Sequence, residues 1–335
     1  MKQHCVAVLG ATGAVGREMI VILEERGFPV DELRLLASGR SAGSSVLFRG
    51  APVTVREAWE DSFDGVDLVL GAAGNDIARR FAPHIVNAGA VFVDNSSAFR
   101  LDPQVPLVVP EINPDAVARH RGIIANPNCT TIITLVAIHA LARLSPLVSI
   151  TASSYQAVSG AGAGGPIELA AQTAALAAGD TAQPQIFPHQ IAYNVIPQIG
   201  SFGEDGYTSE EMKLQNEGRK ILGHPGLKAS CTCVRVPVMR SHSVSAAIET
   251  ERPLSVDEAR AAIAAAPGCR LVDGPVSPRY PMPLDAGGQD LVLVGRIRRD
   301  LTNPNGLLLW CCGDQVRKGA ATNAVQIAEL VIQKN

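Results

Sequence analysis

Three observations predict an α/β protein in two domains. The chain opens with a short apolar run, Cys5-Val6-Ala7-Val8-Leu9, a glycine-rich turn from Gly10 to Gly16, and then a helical pattern. Further short apolar runs of the kind that suit buried parallel strands alternate with helical patterns as far as about residue 128. From about Pro146 the strands cluster, with only a few helices among them. The expectation is a Rossmann-like doubly wound domain over 1–128 and an α+β domain over 129–314, its mixed sheet carrying helices on one face. A C-terminal helix over 315–335 is expected to return to the first domain.

The bulk composition agrees. At 335 residues, 47% of them hydrophobic, the chain can bury cores for two domains. A formal net charge of −3 with mixed signs carries no footprint for nucleic acid or an acidic membrane. No apolar run approaches membrane-spanning length. Seven scattered cysteines lack the paired spacing of a zinc site, so no metal is expected. Met1-Lys2-Gln3-His4-Cys5 runs straight into a strand without the features of a signal peptide, and a reduced, cytoplasmic protein is expected.

The first strand, Cys5–Leu9, feeds Gly10-Ala11-Thr12-Gly13-Ala14-Val15-Gly16. A helix follows from Arg17 to Arg26, apolar at Met19, Ile20, Ile22 and Leu23, and Gly27 ends it. Between a first strand and a first helix, Gly10 permits the tight turn and Gly13 lets backbone approach a pyrophosphate. Gly16 lets the helix pack closely on the strand. The second strand, Leu33–Ala37, ends in Ser38-Gly39-Arg40-Ser41. An NAD site usually has an acidic residue at this strand end. A hydroxyl and an arginine suit a 2′-phosphate instead, so NADP is expected, against the plainer reading of Arg40 as a solvated surface residue.

Val66–Leu70 is the next buried strand, and Gly71-Ala72-Ala73-Gly74 leaves room for a cofactor over its end. A helix over about 75–88, a strand Val91–Val93 and a strand Ile123–Ala125 complete the domain. Ligands lie beyond the carboxyl ends of such strands, which places Arg100 to meet an anion. Asn126-Pro127-Asn128-Cys129 then leads into the apolar helical run from Ile132 to Ile138. A thiol at a helix start meets unpaired N–H groups and the positive dipole end, which favour a thiolate. On spacing alone Cys129 reads equally as a nucleophile or as a small core residue.

In the second domain, Leu147–Tyr155 is a long strand leading to Gln156-Ala157-Val158-Ser159-Gly160. Later strands are expected over 232–237, 243–250, 291–297 and 307–312, the last two joined by Asn303-Pro304-Asn305-Gly306. Helices are expected over 167–178, 209–222 and 255–265, and a final one from Gly319-Ala320 to Ile332. Glu210 and Lys213 stand three apart on one helix and share a face. The plain reading of that pair is a surface ion pair.

Several stretches in order resemble the aspartate-β-semialdehyde dehydrogenase family: the 10–16 turn, Asn126-Pro127-Asn128-Cys129, Ser154 to Gly160, and Gly206 to Lys213. Arg235-Val236-Pro237-Val238 with His242, and Arg317-Lys318-Gly319-Ala320-Ala321, complete the match, which spans almost the whole chain. The resemblance implies NADP-dependent interconversion of β-aspartyl phosphate and aspartate β-semialdehyde through a Cys129 thioester, in lysine, threonine, methionine and diaminopimelate biosynthesis. It implies that His242 keeps Cys129 ionised and moves a proton at the reacting oxygen, that Asn128 and the Cys129 N–H stabilise the oxyanion, and that Gln156 orients substrate and Cys129. Arg100 and Lys213 would take the phosphate, Arg235 the α-carboxylate and Glu210 the α-ammonium.

Cofactor contacts are implied at Gly10, Thr12, Gly13, Ala14, Val15 and Gly16, and at Ser38, Arg40, Ser41 and Gly74. Ser159, Gly160 and Gln315 are implied from the second domain. The chain departs from the family at Gly71 and Ala78, where serine is common, and at Asp314-Gln315, where Asp-Asn is common. The other cysteines read as core. A homodimer is expected, from a sheet face left open in the second domain. Two competing readings are an N-acetyl-glutamyl-phosphate reductase-like enzyme, whose substrate offers no ammonium to Glu210, and a non-catalytic nucleotide-binding paralogue, which would be expected to lose Cys129, Gln156 or His242.

Overall fold

A computed structural model describes residues 3–274 and 278–334, and divides them into two compact units. The first comprises residues up to Asn128 together with those from Ala320 onward; the second runs from Cys129 to Gly319. The chain returns to the first unit at Ala320 rather than at 315. Among the described residues no helix is long and apolar enough to cross a membrane.

The first unit is built on β1 (His4–Leu9), α1 (Ala14–Glu25), β2 (Val30–Ala37), β3 (Ser45–Phe48), β4 (Ala51–Glu57), β5 (Leu68–Gly71), α2 (Asn75–Asn87), β6 (Val91–Asp94) and β7 (Ile123–Ala125). The sheet order is β3-β4-β2-β1-β5-β6-β7, parallel except where β3 turns back on β4. Burial on both faces explains the unbroken apolar runs of β1 and β5. One face packs with α1 and the C-terminal helix (Thr322–Lys334), through Met19, Ile22 and Leu23 and through Ala324, Val325 and Ala328. The other packs with α2 through Ala78, Phe81 and Ile85.

Gly71, one of the departures, has a physical reason: a Cβ there would sit 2.5 Å from the Phe92 ring. Serine at 71 is incompatible with a phenylalanine so placed. Ala78 is buried in the same cluster.

In the second unit α3 (Cys129–Leu144) precedes β8 (Leu147–Gln156), α4 (Gly164–Ala177), α5 (Glu211–Leu222), β9 (Lys228–Arg235) and β10 (His242–Thr250). Then come α6 (Val256–Ala264), β11 (Cys269–Leu271), α7 (Pro283–Ala286), β12 (Val292–Arg299) and β13 (Gly306–Gly313). The mixed sheet has the order β11-β12-β13-β10-β8-β9. Helix α3, apolar all round, is buried against β10, β12, β13 and α6. On the sheet, Tyr155 lies against Trp310 with ring centroids 5.2 Å apart, and Tyr155 stays 38% exposed. The β3–β4 hairpin and β11 were not among the strands expected; β3 and β11 are only 4 and 3 residues long, and β4 is largely exposed.

Candidate active site

Cys129 is the first residue of α3 and is partly exposed. In the next turn the Thr134 hydroxyl donates to the Thr130 carbonyl at 2.7 Å. The turn over Arg317–Ala321 comes close: a Cβ on Gly319 would lie 2.9 Å from that of Cys129. Glycine at 319 therefore lets backbone press against the thiol-bearing residue.

Gln156 ends β8, 2% exposed, and its amide donates to the Thr130 hydroxyl at 2.8 Å and to Glu210 Oε1 at 3.2 Å. Lys213 donates to the other oxygen, Glu210 Oε2, at 2.7 Å. A chain of contacts thus runs from the residue after Cys129 through Gln156 and Glu210 to Lys213. The Glu210–Lys213 ion pair expected as the plain reading is present, and it is part of this chain.

Arg235 is buried at the end of β9, where Nη1 donates to the Ala157 carbonyl at 2.7 Å and the guanidinium lies over the Phe187 ring. Burial pulls its pKa down, while the charges of Cys129 and Glu210 oppose that shift. The Arg235 charge is thus felt at Cys129.

His242 begins β10 and is fully buried. Its Nδ1 accepts the Ala157 N–H at 3.1 Å, so the neutral ring carries its proton on Nε2. Nε2 has no partner among the described residues. Burial first, and the Arg235 charge second, push the ring down to about 3. An imidazolium is disfavoured here. The expectation that His242 helps keep Cys129 ionised gains no support from the ring's charge, because the neutral ring presents an N–H donor.

Gly160 was expected at the cofactor. A Cβ there would stand 2.7 Å from Arg235 Nη1 and 3.0 Å from His242 Cε1, so glycine makes room for those side chains. Gln315, 4% exposed, donates to the Ser159 hydroxyl and accepts the Ser241 N–H at 2.8 Å. Ser241 has φ +76°, a left-handed backbone outside glycine, immediately before His242. Ser159 and Gln315, expected at the cofactor, thus bind each other and hold the approach to His242.

In the first unit Gly10, Thr12, Gly13 and Ser38 line a cavity of about 370 Å³, with Ala72 and Ala73 opposite. A Cβ on Gly10 would lie 2.8 Å from the Ala72 carbonyl oxygen, and one on Gly16 would lie 2.2 Å from that of Gly10. Gly13 is the N-cap of α1 and no side chain caps it. A small-walled cavity at an uncapped helix start fits a dinucleotide pyrophosphate. Ala14, Val15, Gly16, Arg40, Ser41 and Gly74 are not part of the cavity lining, although the Thr12 hydroxyl donates to that of Ser41 at 3.3 Å. Glu57 lines it, and sequence reasoning missed this. Glu57 is the register partner of Ala37 across β2 and β4, and its carboxylate lies against Gly39.

Arg100 is buried, with Nε on the Asn126 carbonyl at 2.9 Å and Nη2 on the Asn95 carbonyl at 2.8 Å. Asn126 is held further by Asn95 and by Asn323 of the C-terminal helix. Asn128 is 6% exposed. Burial raises the Cys311 and Cys312 thiols, the latter to about 11, and raises Cys5. Among the described residues no group of three or more His, Cys, Asp or Glu side chains is placed to hold a metal ion.

Comparison with known proteins gives a consistent result. Residues 5–120 match the family model for the semialdehyde dehydrogenase NAD-binding domain, and residues 138–318 match that for the semialdehyde dehydrogenase dimerisation domain. An aspartate-semialdehyde dehydrogenase of Synechocystis is 51% identical over 329 residues, covering 98% of this chain and 97% of that protein. One of Bacillus subtilis is 47% identical, covering 98% of each. The crystal structure of aspartate semialdehyde dehydrogenase II of Vibrio cholerae, complexed with ASA, superposes with a TM-score of 0.97 at 46% identity over 99% of both chains.

Proposed function

The chain belongs to the aspartate-semialdehyde dehydrogenase family, and we propose that it interconverts L-aspartate 4-semialdehyde and β-aspartyl phosphate through a Cys129 thioester, with NADP as cofactor. The observation that carries the mechanism is that Ala157 holds the Arg235 guanidinium and the buried His242 ring together in the unit that begins at Cys129, with Nε2 of His242 unpartnered among the described residues.

In the oxidative direction Arg235 takes the α-carboxylate, and Glu210, already fixed by Gln156 and Lys213, accepts from the α-ammonium. The α3 N-terminus and Arg235 favour the Cys129 thiolate. The thiolate attacks the aldehyde carbon; an S–C bond forms, the C=O π bond opens, and an oxyanion results. The His242 Nε2–H donates to that oxygen, with the Cys129 N–H and the Asn128 amide assigned the same role. NADP, when bound, would supply the acceptor for the hydride that leaves the carbon. The C=O bond re-forms as a thioester, and no proton need pass through His242.

A phosphate oxygen then attacks the thioester, the C–S bond breaks, and Cys129 returns as thiolate. Lys213 and Arg100 are assigned to the phosphate. The Gly10–Gly16 turn would hold the pyrophosphate, and Ser38, Arg40 and Ser41 the 2′-phosphate. Glu57, in the same cavity, is the group that would accept from a ribose hydroxyl, which makes NAD the competing cofactor. The reading includes a homodimer through the second unit and a place in lysine, threonine, methionine and diaminopimelate biosynthesis.

The test is NADPH formation from aspartate semialdehyde. Wild type is expected to require inorganic phosphate for turnover, and Cys129→Ala to show none. Turnover undiminished in Cys129→Ala would overturn the mechanism.

A further inference from the structure

Three residues assigned to substrate stand on two elements: Glu210 and Lys213 at the start of α5, and Arg235 at the end of β9. Their spacing depends on how those elements are tied. Strand β9 is the edge of its sheet among the described residues, with β8 as its neighbouring strand. Its outward N–H groups need partners from elsewhere. Arg235 exchanges both backbone bonds with Ile196. The Cys233 N–H donates instead to Glu211 Oε1 at 2.9 Å.

The second oxygen of Glu211 faces the helix start. Oε2 accepts the Thr208 N–H at 2.7 Å, and the Thr208 hydroxyl accepts the Glu211 N–H at 3.3 Å. This reciprocal pair has the form of a capping box, set where α5 begins. One carboxylate therefore binds the helix start with one oxygen and the edge strand with the other. Glu211 lies between Glu210 and Lys213 in sequence, and Cys233 lies two residues before Arg235 on the same strand face.

We propose that Glu211 is the positioning residue that sets Glu210 and Lys213 against Arg235, and so determines affinity for the amino-acid part of the substrate. The proposal rests on the substrate assignment made above. Glu211 itself touches no substrate. Its effect is expected in the KM for aspartate semialdehyde rather than in cofactor binding or in the chemical step.

The test compares Glu211→Ala, Glu211→Gln and wild type in steady-state kinetics, with melting temperature and amide hydrogen exchange measured on the same samples. Losing a charge-assisted hydrogen bond predicts a rise of about tenfold in the KM for aspartate semialdehyde in Glu211→Ala. The KM for NADP should hold, and kcat should change less than the KM. Glu211→Gln keeps one acceptor oxygen and should fall between the two. A folded Glu211→Ala with an unchanged semialdehyde KM, or with semialdehyde and NADP KM values raised alike, overturns the proposal.

Should Glu211→Ala not fold, Glu211→Gln decides by the same criteria. Wild type without turnover would sink the proposed activity rather than this inference. Amide exchange then decides: loss of protection at Cys233 together with the α5 start supports the tie, and unchanged protection at both refutes it.

Discussion

The backbone N–H of Ala157 donates to Nδ1 of His242 at 3.1 Å and thereby fixes the ring's proton on Nε2. A single main-chain bond thus selects the tautomer and presents a donor in a fully buried position. The same Ala157 accepts from Arg235 through its carbonyl, so one peptide residue orients both the donor and the cation. An oxyanion formed by thiolate attack needs a donor and no proton transfer, and this arrangement supplies a donor.

Acid sensitivity follows from the same ring. His242 has an ordinary pKa of 6.5 and is pushed down to about 3 in the folded chain. Between those values the unfolded chain binds a proton that the folded chain refuses, so stability rises with pH across the window. The contribution is fully present above about pH 6.5 and is lost progressively as the pH falls towards the folded value, by about 2 kcal/mol at pH 5. His242→Gln, which keeps an N–H donor, should show a smaller drop in melting temperature between pH 7 and pH 5 than wild type. An identical drop in both would place the acid sensitivity elsewhere.

Two residues bear on the proposed choice between NADP and NAD: Arg40, just past the end of β2, and Glu57, at the end of β4. Arg40→Ala should weaken NADP binding more than NAD binding, because only NADP has a 2′-phosphate to lose. Glu57→Gln should act in the opposite sense, lowering affinity for NAD and relieving repulsion of the 2′-phosphate, with each effect about tenfold. Fluorescence titration of NADPH and NADH against both variants measures this. Equal effects of Arg40→Ala on the two dinucleotides would remove Arg40 from the specificity site.

The strand-turn-helix opening was legible because it is local: Gly16 is called for by the nearby Gly10 carbonyl, and Gly10 by its own φ of +89°. The helix start at Cys129 was legible for the same reason, from the apolar run that follows it. Glu57 was not, because its nearness to Gly39 depends on the register of β4 against β2, which has no sequence signature. The mutual bond of Ser159 and Gln315 depends likewise on long-range packing. Roles for Arg235 and His242 came from family spacing, and only the Ala157 contact distinguishes a donor from a base. Glu211 had a usable signal: Thr208 and Glu211 have capping-box spacing. What that spacing could not convey is the second bond, from Cys233.

The thioester is the central claim, and omitting phosphate tests it most directly. Enzyme mixed with aspartate semialdehyde and NADP, without phosphate, should release a burst of NADPH stoichiometric with active sites and then stop. Mass spectrometry of the quenched sample should find the acyl group on the Cys129 peptide, and added phosphate should release it. A sample that turns over with phosphate yet gives neither burst nor adduct without it would contradict the account.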